Sequence, residues 1–354
     1  MINLQKYNLL DDALLAAAKE VKPLYYVEPI NEKEQKQEFL AGKVGNPSFQ
    51  YKPLEYNPAE VQAKLESIEV PDGLLGGIFQ IGRRNALLDN ELIENRGKCD
   101  IVRNNTTIIY GVPSEPLVAY ADELLRQTPE VDATKEVAAE SVKEALERAL
   151  VSTGLTDWAV ELSDKRLTTV YQAEKKITIC RTRKFGDKDP ARLCVHEVGV
   201  HTLRAVNGYE QPLKIFALGL PGYLPTEEGL TSYFEEITGN SDSETIRDYA
   251  ARVIAVDSVV KGLDFSQTFD RLKSYELTDD RSWNLAVRAH RAGGYIKDHV
   301  YLEGLLKVRD FAKQGGDFKT LYVGKVGIED LPLVRALLEE NVLTEARYLP
   351  AFIR

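Results

Sequence analysis

Two of the chain's four histidines, His196 and His201, stand five residues apart in "DPARLCVHEVGVHTLRAVNG" (189–208), and Glu197 directly follows the first. Their neighbours Leu193, Val195, Val198, Val200, Leu203 and Val206 are apolar, so the segment reads as a buried helix. Two imidazoles and a carboxylate in such surroundings need partners, because a buried polar group without a hydrogen bond is costly. One divalent cation would satisfy both imidazoles. Zinc held by two histidines of one helix, with the intervening glutamate as a base, is the chemistry of HExxH. The spacing here is HExxxH. On a regular α-helix five residues turn about 500°, which leaves the second histidine roughly 140° round from the first. A π-bulge, with its i→i+5 hydrogen bonds, would bring them back together, and Gly199 has no side chain to obstruct one. Spacing alone leaves two readings: a metal site on a π-distorted helix, or two unrelated core histidines.

A catalytic zinc takes three protein ligands and keeps one position for water. His290 and His299 are possible third ligands far downstream. Glu227 and Glu228 are nearer, in "PTEEGLTSYFEE", where Gly229, Thr231 and Ser232 are small enough to let that helix approach the first. Acidic residues also favour the first turn of any helix, so periodicity does not choose between the two glutamates.

The elements that must position these groups are mostly helical. Helical spacing is evident over 1–20, 59–70, 77–97, 117–127, 133–154, 241–262, 264–276, 280–292 and 295–314, with a last helix before Pro350. Residues 21–58, with Pro23, Pro29, Pro47, Pro53 and Pro58, predict an extended segment. The β-branched run "DIVRNNTTIIYGVPSEP" (100–116) predicts a short strand or irregular turn. Three short β-prone runs, "WAVELSD", "LTTVYQAE" and "KKITICRT", predict a small, largely antiparallel sheet over 155–183, the last two runs forming a hairpin across 173–176. The histidine helix follows at once, with Asp189 as its N-cap, Pro190 in first position and Gly208 closing it. Thr226 is expected to cap the next helix. The class is α+β: mostly helical, with a small antiparallel or mixed sheet beside the HExxxH helix. Two regions are expected, an N-terminal helical and extended region (1–130) packed on a catalytic body, and the catalytic domain itself (131–354).

Composition narrows the function. The net charge of −10 argues against sequence-independent nucleic-acid binding, which needs lysine and arginine to displace counterions. No apolar run of about 18 residues is present, so no membrane span is expected. The N-terminal segment holds Asp11 and Asp12 and reads as an amphipathic helix, not a leader. Cys99, Cys180 and Cys194 are odd in number and show no CxxC spacing. They indicate neither a disulfide framework nor a cysteine zinc site, and favour a reducing, cytoplasmic location.

Several stretches together resemble one family: "HEVGVHTLRAVNGYEQP", "LPTEEGLTSY", "GGYIKDHVYLEGLLKV", "VGKVGIEDLP" and "ARYLPAFI". The resemblance is to the microtubule-associated tyrosine carboxypeptidases, many of whose bacterial relatives are named for a QEGLA motif. It is strongest over 155–354 and looser over the first 130 residues. It implies a gluzincin-like zinc metallopeptidase with His196, His201 and Glu228 as ligands and Glu197 as general base. Glu228 follows from its place directly before Gly229. Thr231 stands where many relatives have alanine, and touches no implied ligand.

The implied reaction is removal of a C-terminal residue, tyrosine or another aromatic, by attack of water that zinc and Glu197 activate. Tyr295, Tyr301, His290 and Arg291 are candidate donors to the developing oxyanion. A carboxypeptidase must also bind a free carboxylate, for which arginine and lysine are suited. Arg291 and Lys297 are the first candidates, Arg181 and Arg183 the second; either of the latter could lie on an edge strand beside an added peptide strand. The expected partner is therefore a peptide or protein C-terminus. Eukaryotic relatives act on the terminal tyrosine of α-tubulin, a substrate not carried over here, since a chain at −10 does not attract an acidic tail at long range. Two other readings remain: a non-catalytic regulatory or scaffold protein that retains a metal site, for which Glu197 has no use, and an aminopeptidase or endopeptidase, which would need different charges near the substrate terminus.

Overall fold

A computed structural model describes residues 4–73, 75–128, 136–164, 168–172, 174–241 and 243–353. The chain forms two compact units. One comprises residues 1–4, 131–243 and 304–354, the other residues 5–130 and 244–303. Residue 130, where the sequence reading places its division, lies outside the described residues. Residues 244–303, however, group with the N-terminal residues and not with the remainder of 131–354.

The unit built from 5–130 and 244–303 is helical. Its helices include Asn8–Val21, Glu32–Leu40, Pro58–Glu66, Gly76–Glu94, Cys99–Tyr110, Glu115–Gln127, Phe265–Lys273 and Asp279–His290. Two corrections to the sequence reading arise here. The segment 21–58 is not simply extended, because "EKEQKQEFL" between the prolines is made of good helix formers; its Phe39 packs edge-on against Phe265 and Phe269, with ring centroids 5.3 and 5.0 Å away. Nor is 100–110 a strand. Val102, Asn105 and Thr106 share a buried helix face, and Asn105 Nδ2 donates to Leu88 O at 3.1 Å and Glu91 Oε2 at 2.8 Å. This tertiary pairing overrides the β-preference of its branched residues. Gly111, at φ 75°, ends the helix.

The other unit carries the sheet and the histidine helix. Helix Ala139–Ser152 leads into strands β1 (Ala159–Ser163), β2 (Thr169–Tyr171) and β3 (Lys176–Cys180). The order is β1-β3-β2, with β1 parallel and β2 antiparallel to β3. The sheet is therefore mixed. The β2–β3 hairpin forms, although Ala173 within its turn and residues 133–135 of the preceding run lie outside the described residues. Ile177–Cys180 is buried throughout, as befits a central strand, whereas a solvated antiparallel strand would alternate.

Helix Asp189–Leu193 passes without a break into a π-helix, Cys194–Thr202, and then into helix Leu203–Glu210. Asp189 is the first helical residue, not the cap; its Oδ2 accepts from Gly186 N at 2.9 Å. Gly208 lies inside the helix end, where a Cβ would come within 2.3 Å of Phe216 O. Helix Leu224–Ile237 follows, starting two residues before Thr226. Thr226 is buried and its hydroxyl accepts from Ile328 N at 3.0 Å. Helix Val300–Lys313 begins five residues later than the spacing predicts, after Ala292, Gly293 and Gly294, all at positive φ. No helix among the described residues is long and apolar enough to cross a membrane.

Candidate metal centre

The π-helix places the two histidines on one side. In the π-register Leu203 N donates to Val198 O, five residues back. The buried Tyr322 hydroxyl donates to Gly199 O at 2.8 Å, and Thr202 Oγ1 donates to Glu197 O at 2.7 Å. These side-chain bonds satisfy carbonyls at the point where the regular ladder is disturbed. A Cβ at Gly199 would lie 3.1 Å from the Phe352 ring, a tighter contact than is usual. The His196 and His201 ring centroids are 4.8 Å apart, a separation that the regular-helix angle does not allow.

Glu228 joins them from helix Leu224–Ile237. One ligand atom each from His196, His201 and Glu228 lie within 4.8 Å of one another. Glu228 Oε2 is buried and has no hydrogen-bond partner among the described residues, and His201 Nε2 is 3.8 Å from it. Two imidazoles and a carboxylate of this kind suit zinc, and the orphaned oxygen is an acceptor that a cation would satisfy. His290 and His299, the alternative ligands, belong to the other unit. His290 Nε2 is bonded to Thr268 at 2.8 Å.

A second layer fixes the tautomers. His196 Nδ1 is 2.8 Å from Glu235 Oε1, and His201 Nδ1 is 2.8 Å from Glu227 Oε1. Each imidazole gives its Nδ1 proton to a carboxylate, which leaves Nε2 with its lone pair for a metal. Both carboxylates are anchored in turn. Arg192 donates to Glu235 at 3.2 Å and to Asp189 at 2.7 Å. The fully buried Arg204 pairs with Glu227 and also donates to Leu321 O at 3.0 Å. Burial works to raise the Glu227 carboxyl, but Arg204, the His201 hydrogen bond and Lys325 hold it far below the usual carboxylate range. Burial likewise works to lower His196, yet its bond to Glu235 leaves it raised. Burial pushes the Cys194 thiol, inside the π-helix, up to about 11, so it stays a neutral packing group. Sequence reading missed Glu235, Arg192, Arg204 and Tyr322. Only Glu235 left a signal, standing two helical turns after Glu228 and so on the same face.

Replacing Glu235 with Gln keeps an acceptor for His196 Nδ1 but removes the charge that strengthens the imidazole as a ligand. We expect zinc affinity, titrated against a chelator of known strength, to fall by about 10–100-fold with unchanged circular dichroism. Glu227→Gln should act in the same way through His201. Unaltered affinity in both variants would show that these carboxylates do not support the site.

The remaining candidates divide between the units. Arg181 and Arg183 follow β3, which is the central strand, so neither lies on an edge where a peptide strand could add. Arg181 is exposed and tied to the end of β1, with Nε 2.9 Å from Asp164 and Nη2 donating to Leu162 O at 3.1 Å. Arg183 is also exposed and lies over the Phe185 ring at 4.7 Å; Asp189 and Glu197 are close enough to act on its charge. Tyr295, Tyr301, Arg291 and Lys297 belong to the other unit. Tyr295 is fully buried with its hydroxyl 3.0 Å from that of Tyr110, and burial raises its pKa. Arg291 is buried and paired with Glu28. Lys297 is buried with Nζ 5.7 Å from the ring centre of the half-buried Tyr301.

Comparison with known proteins shows the family. The family described as microtubule-associated tyrosine carboxypeptidase matches residues 37–354. The rat microtubule-associated tyrosine carboxypeptidase 1 is 33% identical over 171 residues, which is 45% of this chain and 35% of the rat protein. Its human counterpart is 32% identical over 152 residues, covering 40% of this chain and 31% of that protein. The mouse putative tyrosine carboxypeptidase MATCAP2 is 30% identical over 171 residues, 45% of this chain and 31% of that protein. The chain thus spans about a third of the length of the curated relatives it matches. The family match covers nearly all of the chain, including every residue of the metal centre and its second layer, and the chain belongs to the microtubule-associated tyrosine carboxypeptidase family.

Proposed function

We propose that this chain is a zinc-dependent metallo-carboxypeptidase that removes a C-terminal residue, preferentially tyrosine or another aromatic, from a peptide or protein. The observation that carries the proposal is the convergence of His196, His201 and Glu228 with a buried, unsatisfied Glu228 oxygen at its centre. Glu197, immediately beside His196 and itself buried, supplies what a purely structural metal site does not need. The preference for tyrosine rests on the names of the relatives, tyrosine carboxypeptidases from rat, mouse and human.

His196, His201 and Glu228 would hold the zinc, with Glu235 and Glu227 fixing the two imidazoles. Zinc at this site would act as a Lewis acid toward water and toward the scissile carbonyl. Glu197 takes the proton of the attacking water on its carboxylate and delivers it to the departing amine. The surrounding Val195, Val198 and Val200 are buried and keep the dielectric low, which strengthens each charge–charge contact in the centre. Three free cysteines fit a reducing, cytoplasmic setting.

Metal analysis of the purified chain, paired with digestion of a peptide library read by mass spectrometry, tests this reading. One zinc per chain and products shortened by one residue at the C-terminus are expected, aromatic termini going first. Shortening from the N-terminus or internal cuts would replace carboxypeptidase action with aminopeptidase or endopeptidase action. Stoichiometric zinc with no cleavage of any peptide would leave a scaffold.

A further inference from the structure

Nothing in "CVHEVGVHT" (194–202) forbids an ordinary α-helix: the stretch contains no proline, and the α-register is the common one, π-turns being rare and short. In the α-register Leu203 N would donate to Gly199 O, four residues back, and His201 would stand roughly 140° round from His196. The observed helix does neither. Leu203 N donates to Val198 O and Val200 O, on either side of the Gly199 carbonyl, and the two imidazole rings are 4.8 Å apart. The alignment of the histidines therefore depends on contacts from outside the helical ladder.

Thr202, Phe352 and Tyr322 supply such contacts, all within the unit that carries the metal centre. The Thr202 hydroxyl donates to Glu197 O at 2.7 Å. A threonine on a regular helix also finds a carbonyl three or four residues back, so this bond does not choose between registers. Phe352 is half-buried and meets Gly199 through an apolar ring, which imposes no direction on a carbonyl. Tyr322 differs. Its fully buried hydroxyl donates to Gly199 O at 2.8 Å. In the α-register that carbonyl is turned to Leu203 N, and the phenol is left without its acceptor in a place closed to solvent, which is costly. Burial pushes the phenol pKa further up, so the hydroxyl keeps its proton and stays a donor.

The phenol is also held firmly enough to select. It stands on the short 3₁₀ turn Thr320–Val323. The fully buried Arg204 donates to Leu321 O at 3.0 Å and to Val326 O, one on each side of Tyr322. Gln211 Nε2 donates to Val323 O at 3.1 Å. Lys325 N donates to Phe216 O at 2.7 Å, and Lys325 O accepts from Leu220 N at 2.9 Å. A Cβ at Gly324 would lie 2.6 Å from Phe216 O, so this segment is drawn tight against 216–220. None of these bonds involves a metal ligand.

We propose that Tyr322 is a positioning residue that locks the π-register of Cys194–Thr202, so that His196 and His201 converge before a cation arrives. This rests on the zinc reading above. A helix that had to change register on binding would hold zinc more weakly, in proportion to the fraction of molecules in the competent register. The Tyr322 bond removes that penalty.

The test uses the full chain. Tyr322→Phe deletes one oxygen and keeps the ring. Zinc affinity, titrated against a chelator of known strength, should fall by about 5- to 150-fold. Thr202→Val loses its bond in both registers and should leave affinity within about threefold. With cobalt(II) in place of zinc, saturated Tyr322→Phe should give the wild-type visible absorption, because the ligands are unaltered; a changed spectrum would make Tyr322 a shaper of the ligand set and overturn the register account. Crystal structures grown with chelator show the register directly. Metal-free wild type should keep the π-helix, and metal-free Tyr322→Phe should return to the α-register with Leu203 N on Gly199 O. Metal-free wild type in the α-register overturns the proposal without recourse to any variant, and so does a metal-free Tyr322→Phe that stays in the π-register. A π-helical wild type and an α-helical variant, neither of which takes up zinc, would keep the lock and lose the metallopeptidase reading. A zinc carboxypeptidase whose variant stays π-helical would do the reverse.

Discussion

Glu197→Gln should abolish peptide hydrolysis while leaving the metal in place. Gln has nearly the same shape and fits the same buried position on the π-helix, next to His196. It cannot accept a proton at neutral pH, so both proton transfers lose their carrier. A loss of about 10²–10⁴-fold in kcat is the ordinary worth of such a group, and KM for the peptide should change little because Glu197 is not among the groups that recognise the substrate. Zinc content and thermal stability are the controls. None of His196, His201 and Glu228 is altered, so one equivalent of zinc should remain. Loss of zinc together with activity would make Glu197 a structural or ligating group. Retained activity at more than about a tenth of the wild-type rate would remove it from the mechanism.

Particular residues show why part of this centre was legible and part was not. The pair His196 and His201 announces itself because few reasons exist for two imidazoles and an acid on an apolar helix. The extra residue between them even points to the correct distortion: a regular helix separates the rings, and the π-helix over Cys194–Thr202 is the local solution. Tyr322 and Phe352, which hold and cover that distortion at Gly199, are more than a hundred residues away in the chain. Nothing in their own neighbourhoods marks them. The same holds for Arg204, whose role depends on meeting Glu227 and the carbonyl of Leu321. Local pattern placed most helices, but failed at Cys99–Tyr110, where Asn105 is paired with Leu88 and Glu91. The sheet was expected to be largely antiparallel or mixed, and it is mixed, but nothing in β1 itself told that it would pair in parallel with β3. The direction in which β1 meets β3 is set in the assembled unit and is not written in the strand's own five residues.

Gly304→Ala should be among the most damaging single substitutions in the chain, although it adds only one methyl group. A Cβ at 304 would lie 1.9 Å from Pro225 O, and one at Gly229 would lie 2.2 Å from Gly304 O. The clashing atoms are backbone on both sides, so no rotamer change relieves them. Helix Leu224–Ile237 would have to move away from helix Val300–Lys313. Overpacking of this kind costs roughly 3 kcal/mol, the upper end of its usual range, readable as a lowered urea midpoint. The displacement also reaches the metal centre, because Glu228 directly precedes Gly229 and its backbone oxygen accepts from Thr231 and Ser232 at 2.7 and 2.8 Å. Weaker zinc binding should therefore accompany the lost stability. Gly77→Ala is the matched control. It sits in helix Gly76–Glu94 with no atom within 4 Å of the added Cβ, and should be neutral or stabilising by up to about 1 kcal/mol. If Gly304→Ala tolerates urea as well as Gly77→Ala does, the close helix crossing beside Glu228 is not what holds the third ligand in place.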